Sequence, residues 1–506
     1  MKTATSLVNR FILAILLMVG FYLLALSIAA GLLWTSYAVQ TYMHRFDLDI
    51  LISCVGGAGV ILWSIIPRPD RFLPPGPQLT RQAQPELHQG VEQIAQSAGQ
   101  PPPAEIYLIP EVNAWVSHRG GWMGIGSRRV MAVGLPLMQA LTLSQFRGVL
   151  AHEFGHFCGG DTTLGPWIYK TRSALGRTVW ALYKRRPWLS IPFLWYGKAF
   201  LRITHAISRQ QEYFADQLAA QVVGPTAVSE ALKRLHGIDL AYRAFWNTEM
   251  APALKQGYRP PFSYGFALFL DAAQTAEQMN AAVQEELQRN EFDLYDTHPC
   301  LADRLAALKE WPPGSAESPD PLAITILRDL NQCEEDLLRS VLGSEKEFNA
   351  LKTVDWEDVQ EKVWVPTWQK LIRDYGISLS RLIPASLGDY AGAGKSLAVR
   401  LRLAATEGHT METHERQAIE IIGCALCLLL YQNGWTIESQ PGAAIVFKKE
   451  DLRFLPFDAS RQLIEGKMSI QQWRAECDLA GISNQPLTNQ SSEDRHLRNS
   501  IKSSKS

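Results

Sequence analysis

Apolar residues fill two stretches near the N-terminus so completely that neither has a polar face. Residues 11–34 (FILAILLMVGFYLLALSIAAGLLW) carry no charge over a length that crosses a bilayer, and residues 50–66 (ILISCVGGAGVILWSII) form a shorter second run. The pattern predicts a hairpin of transmembrane helices at about 11–34 and 48–66, within an anchor spanning 1–72. A signal peptide competes for the first run, since Lys2 and Arg10 precede it and Ala29, Ala30 and Gly31 follow its apolar centre. That run is longer than a signal core, and the second would anchor the chain in either case. Lys2 and Arg10 before the hairpin, Arg45 alone within it, and Arg68, Arg71 and Arg81 after it favour both ends on the cytoplasmic side. The expectation is an integral protein of a bacterial-type inner membrane, with its large C-terminal part cytoplasmic.

Beyond the hairpin the pattern breaks up. Pro67, Pro69, Pro74, Pro75 and Pro77 read as a stiff linker. Residues 83–98 have helical spacing, and 105–109, 114–116 and 128–133 have strand character around the glycine-rich loop GGWMGIG at 120–126. A helix follows, capped by Thr142 or Ser144 and ended by Gly159-Gly160, with Phe146, Leu150, Phe154 and Phe157 as its apolar stripe. Gly148, Gly155 and Gly159 near its histidines would leave one side uncrowded.

Residues 162–210 are helical in pattern and rich in aromatics. Lys184-Arg185-Arg186 beside Trp188 reads equally as an interfacial anchor or as a solvated turn on a core helix pair, and Pro187 and Pro192 argue against an uninterrupted third span. From 315 to 483 the chain reads as a second helical region with a strand-like piece near 443–448, and 484–506 as a polar, disordered tail.

Composition narrows the choices. At 506 residues and 47% apolar content the chain can bury more than one core, and a net charge of −1 supplies no field for nucleic acid. Seven scattered cysteines argue against a disulfide framework and for a reducing compartment.

The candidate chemistry lies in His152-Glu153-Phe154-Gly155-His156, an HExxH motif. On a helix, residues four apart share a face, so both imidazoles can reach one metal ion with Glu153 beside them. A catalytic zinc needs three protein ligands and one open position, so a third must come from elsewhere. In SRQQEYFADQLAA, Glu212 and Asp216 are again four apart: Glu212 suits the metal shell, and Asp216 suits a hydrogen bond to a ligand imidazole's second nitrogen.

AHEFGHFCGGDT, SRQQEYFAD and THPCLADRLAAL, in that order, together with NAWV at 113–116 and Gly134-Leu135, resemble the signatures of the HtpX and CAAX-prenyl-protease family of membrane zinc endopeptidases. The resemblance covers roughly residues 75–310. It implies a mainly α fold of the α+β kind: a zincin-like metallopeptidase domain with a small sheet over 73–314, between the membrane hairpin and the helical region. It implies His152, His156 and Glu212 as ligands of one Zn2+ per chain and Glu153 as general base. Asp216, Asp161 and Arg304 are implied as supports of those ligands, and His298 as an oxyanion donor. Cys300 departs from the family's second proline, and is read as a small apolar substitute rather than a redox-sensitive group. The stretch between His156 and Glu212 looks too short and interrupted for the extra pair of spans found in HtpX.

The activity so implied is zinc-dependent hydrolysis of peptide bonds in membrane-associated or misfolded polypeptides, held by strand addition along an edge among residues 114–133. The competing class is an inactive membrane scaffold or adaptor on the same fold, which would need none of His152, Glu153, His156 and Glu212. Neither nucleic acid nor nucleotide is an expected partner: GDYAGAGKS at 388–396 has Asp389 where a P-loop needs glycine, and reads as a loop before a helix. Cys424 and Cys427, in the apolar run IEIIGCALCLLLY, read as core residues.

Overall fold

The computed structural model describes the chain except residues 1, 43–47, 67–71, 121–125, 159–160, 186, 290–298, 313–318, 404–410 and 489–506. For 2–11, 158, 161–166, 169, 185, 206 and 411–412 it describes the backbone alone. Two compact units divide it: Met1–Leu240 with Gln278–Ser344, and Ala241–Glu277 with Glu345–Ser506. The expected fold class holds, since helices dominate and the sheets are small.

The first unit opens with α1 (Lys2–Tyr42) and α2 (Leu48–Ile65), the two described helices long and apolar enough to cross a membrane. α3 (Pro85–Ser97) begins on a proline, whose missing N–H is no loss in a first turn, and buries Leu87, Val91, Ile94 and Ala95 along one face. Three strands follow, β1 (Glu105–Ile109), β2 (Ala114–Arg119) and β3 (Arg128–Gly134). β3 lies in the middle of the order β1-β3-β2, parallel to β1 and antiparallel to β2. Its Val130 to Gly134 are all buried, as a central strand covered on both faces requires, whereas β2 alternates with Ala114 and Val116 inward. β2 is therefore an edge strand.

The short α4 (Leu135–Ala140) leads into α5 (Leu143–Cys158), then α6 (Asp161–Arg185), α7 (Pro187–Val223) and α8 (Pro225–Phe245). Thr142 caps α5 as expected: its Oγ1 accepts from the Gln145 N–H at 3.4 Å, and the Gln145 side chain returns a bond to the Thr142 N–H at 3.1 Å.

The stretch between His156 and Glu212 forms most of two helices of 25 and 37 residues, and among the described residues neither is apolar enough over a membrane's length to stand beside α1 and α2. Pro187 sits at the first position of α7, where it is tolerated, and Pro192 lies inside the helix without ending it. α6 and α7 pack on the N-terminal pair through Phe21, Ala25, Ala29, Ala58, Ile61, Ala174, Leu175, Leu189 and Phe193. The Tyr196 hydroxyl closes that packing by donating to the Leu17 carbonyl at 2.5 Å. Trp180, Tyr183, Trp188 and Trp195 face outward and are 63–71% exposed, so they are not a core stripe. Lys184 Nζ lies 4.1 Å from the Trp180 ring centroid; Arg186 and the Arg185 side chain fall outside the described residues.

The second unit is built on the helix Met411–Gln432, whose apolar residues pack with Trp368, Phe447, Leu463 and Trp473. A three-stranded antiparallel sheet contains Val446–Lys449, in the region expected to hold a strand. GDYAGAGKS folds as a 3-10 turn and the helix Gly394–Arg400, entered from the helix Pro384–Leu387 rather than from a strand. At the head of the expected disordered tail, Leu487 is buried and its N–H bonds to the Leu382 carbonyl at 2.9 Å. Residues 489–506 lie outside the described residues.

Candidate active site

α5 carries His152 and Glu153 into a cavity of about 200 Å³, whose lining also includes Glu212, Asp216 and Arg304. The imidazoles of His152 and His156 have ring centroids 4.8 Å apart and planes at 89°. Ligand-type atoms of His152, Glu153 and His156 all fall within 4.8 Å of one another. Opposite them, α7 presents Glu212 and Asp216 from one face, both buried.

Close approach of α5 and α7 depends on Gly155. A Cβ there would lie 2.7 Å from the Ala215 Cα, closer than packed atoms tolerate. This glycine therefore clears room for α7 rather than for a metal, and Gly148 likewise faces Val223 and Val228. With α7 so near, Glu212 Oε2 sits 3.4 Å from His152 Nε2 and Glu212 Oε1 sits 3.8 Å from His156 Nε2. Ligands at about 2.0–2.1 Å in tetrahedral array stand roughly 3.3–3.4 Å apart.

Behind the donors lies a buried relay. Asp216 Oδ1 is 2.9 Å from His152 Nδ1, and Arg304 clamps the same carboxylate through Nε at 2.7 Å and Nη2 at 2.6 Å. Arg304 Nη2 is also 3.5 Å from Glu212 Oε2. Burial alone would raise the Asp216 carboxyl, yet the hydrogen bonds from Arg304 and His152 hold it below its ordinary value. Burial opposes a proton on His152, but the bonds to Asp216 and Glu212 outweigh it and push that ring up to about 9. The carboxylates that favour a proton there would equally favour a cation.

Other candidate residues are placed unevenly. His298 lies outside the described residues, and for Asp161 the backbone alone, at the first position of α6, is described. Cys300 caps the helix Leu301–Leu308 that carries Arg304, and burial raises its thiol, which fits a small packing residue better than a reactive thiolate. Asp320 escaped the sequence reading. Its carboxylate accepts from the Ser144 N–H at 2.9 Å and the Ser144 hydroxyl at 2.6 Å, fixing the start of α5 from 176 residues away.

Residues 81–312 match the family model of Peptidase family M48. That stretch is similar to the M48 family. It contains every site residue named above except Asp320, and the resemblance read from the three motifs is borne out. A protein from Aquifex aeolicus (strain VF5), named protease HtpX homolog, is 31% identical over 173 residues, 30% of this chain and 55% of that protein. Another protease HtpX homolog, from Acaryochloris marina (strain MBIC 11017), is 28% identical over 240 residues, 42% of this chain and 77% of that protein. Among solved structures, S. mikatae Ste24p covers 60% of this chain and 67% of its own at 17% identity and a TM-score of 0.25. The chain spans about half the length of the first curated relatives it matches. A match to this peptidase family implies a metal cofactor.

Proposed function

We propose that this chain is a membrane-anchored zinc metalloendopeptidase that cleaves membrane-associated or misfolded polypeptides. The observation that carries the proposal is the convergence of His152, His156 and Glu212 at 3.4 and 3.8 Å beside Glu153. His152, His156 and Glu212 would hold one zinc ion. When bound, zinc supplies a Lewis acid that polarises a peptide carbonyl and makes water acidic near neutral pH.

The remaining steps belong to side chains of this chain. Glu153 takes a proton from the attacking water, the water oxygen joins the carbonyl carbon, and Glu153 hands the proton to the amine as the C–N bond breaks. Asp216 Oδ1, 2.9 Å from His152 Nδ1, is placed to accept from that nitrogen when Nε2 serves as the ligand atom, and Arg304 keeps Asp216 ionised and oriented. The edge strand β2 begins at Ala114, which lines the cavity with Asn113, so an extended substrate added to that edge would run past Glu153.

Attachment to lipid is supported by α1 and α2, whose outer faces expose Leu16, Val19, Leu23, Ile52 and Trp63. The outward Trp180 beside Lys184, Trp195 beside Lys198 and Trp188 suit a headgroup boundary beside them. The Lys and Arg distribution about the hairpin supports a cytoplasmic catalytic part in a bacterial-type inner membrane.

Purified chain is expected to hold about one zinc and to cleave an unfolded protein, while Glu153→Gln keeps the metal and loses on the order of a hundredfold or more in rate. Equal proteolysis by the two proteins would refute the mechanism.

A further inference from the structure

α5 begins where two distant pieces of chain meet. Its first turn carries amide N–H groups that have no partner inside the helix, and Thr142 takes one of them, that of Gln145, at 3.4 Å. The Ser144 N–H goes instead to Asp320, whose carboxylate also accepts from the Ser144 hydroxyl. A negative charge there meets the positive end of the helix dipole. Burial works to raise the Asp320 carboxyl, yet the bonds from Ser144 and Thr142 outweigh it and hold the group below its ordinary value.

The contact is wider than one side chain. Thr142 and Leu322 pair as an antiparallel bridge, in which the Leu143 N–H donates to the Pro321 carbonyl at 2.7 Å and the Ala323 N–H to the Leu141 carbonyl at 2.9 Å. Ala323, Ile324 and Leu327 are buried behind it. At the far end the Gln84 side chain accepts from the Arg328 N–H at 2.8 Å and donates to the Arg328 carbonyl at 2.7 Å. Gln84 is itself buried and immediately precedes α3. Residues 320–328 are therefore a strap that ties the start of α5 to the start of α3 within the first unit. The match to the peptidase family stops short of it, at residue 312.

We infer that this strap is an integral part of the peptidase unit, and that Asp320 is a positioning residue that sets where α5 holds His152, Glu153 and His156 along its axis against Glu212. The kinetic part of the inference rests on the peptidase reading. Ser144 and His152 are two helical turns apart, about 12 Å, and a rigid helix carries a shift of its first turn directly to the histidines. Gly155 packed on Ala215 sets how near α7 comes, but two small residues give little hold against sliding. The strap supplies that hold. A slide of about 1 Å would change both spacings from Glu212 to the imidazoles, and a misplacement of that size can cost on the order of a hundredfold in rate.

The test uses the full chain in detergent, with kcat counted per folded, zinc-loaded chain and zinc affinity measured against a chromophoric chelator. Asp320→Ala is expected to lower kcat by roughly tenfold while KM stays within about twofold, and to weaken zinc binding by roughly tenfold. Asp320→Asn keeps an acceptor for the Ser144 N–H and recovers most of both losses. Ser144→Ala costs less than Asp320→Ala, and the double variant is no worse than Asp320→Ala, because the two residues act through one contact. If Asp320→Ala does not fold, Ser144→Ala decides, with a fall in kcat of roughly threefold expected. Parent-like kcat and zinc affinity in the folded variants, with stability alone reduced, would overturn the positioning role. Wild-type turnover no greater than that of Glu153→Gln would overturn the peptidase reading, and zinc affinity alone would then decide the strap.

Discussion

Two helices carry paired ligand-type residues at helical spacing, and they differ in what stands opposite. On α5, His152 and His156 meet Glu212 and, through His152, the Asp216–Arg304 pair. On Met411–Gln432, Cys424 and Cys427 are buried among Ala425, Leu426, Leu429 and the rest of an apolar core, and burial pushes both thiols far above their ordinary value. Thiols held neutral do not ligate a metal. Motif spacing therefore licenses a site, and the facing element decides whether one exists: Gly155 lets a carboxylate-bearing helix approach α5, while Gly423 lets Phe457 approach the cysteine helix.

The sharpest way to break this contrast is to remove polarity behind the histidines. Arg304→Met deletes the clamp and leaves Asp216 as an uncompensated buried charge. Zinc affinity is expected to fall on the order of 10–100-fold, with a loss of about 3–5 kcal/mol in stability of the first unit. Competition with a chromophoric chelator and urea unfolding measure the two effects. Unchanged affinity in a folded Arg304→Met would mean that the relay does not tune the donors.

The same contrast predicts the reverse at the cysteines. Cys427→Ser places a hydroxyl in an apolar site and is expected to cost about 1–3 kcal/mol, with zinc content unaltered. Loss of zinc in a folded Cys427→Ser would contradict the core reading.

Much of this was legible along the chain. Period-two and period-3.6 patterns located α3, β1, β3 and α5 to within a few residues, and Glu212 and Asp216 stood out by sharing one helical face as the HExxH histidines do. Contacts between distant segments were not legible. Asp320 reaches Ser144 from beyond the matched domain, with no local signal. Gly155 was read as space for the metal because sequence spacing shows which side of a helix a residue occupies and not which neighbour occupies that side. Pro187 and Pro192 leave α7 unbroken because they fall at and near its start, where proline is least disruptive.

The smallest expected effect concerns a buried carboxylate of the second unit. Glu249, in the π-helical turn Trp246–Met250, is pushed by burial up to about 7, and the Gly442 N–H that donates to its Oε1 at 3.3 Å offsets this only in part. An acid raised in the folded state binds more protons folded than unfolded between its ordinary value and about 7. Its fold is thus most stable at low pH and weakens as pH rises through that window. Glu249→Gln keeps an acceptor for Gly442 and removes the charge. At pH 5 the variant and the parent should match, and at pH 8 the variant should be more stable by about 1–2 kcal/mol, a figure reduced for the carboxylate's partial exposure. Hydrogen exchange at the amides of 246–250 and 442 reads this directly. A variant that exchanges faster than the parent at pH 8 would mean that the ionised carboxylate is stabilised by its surroundings rather than penalised by burial.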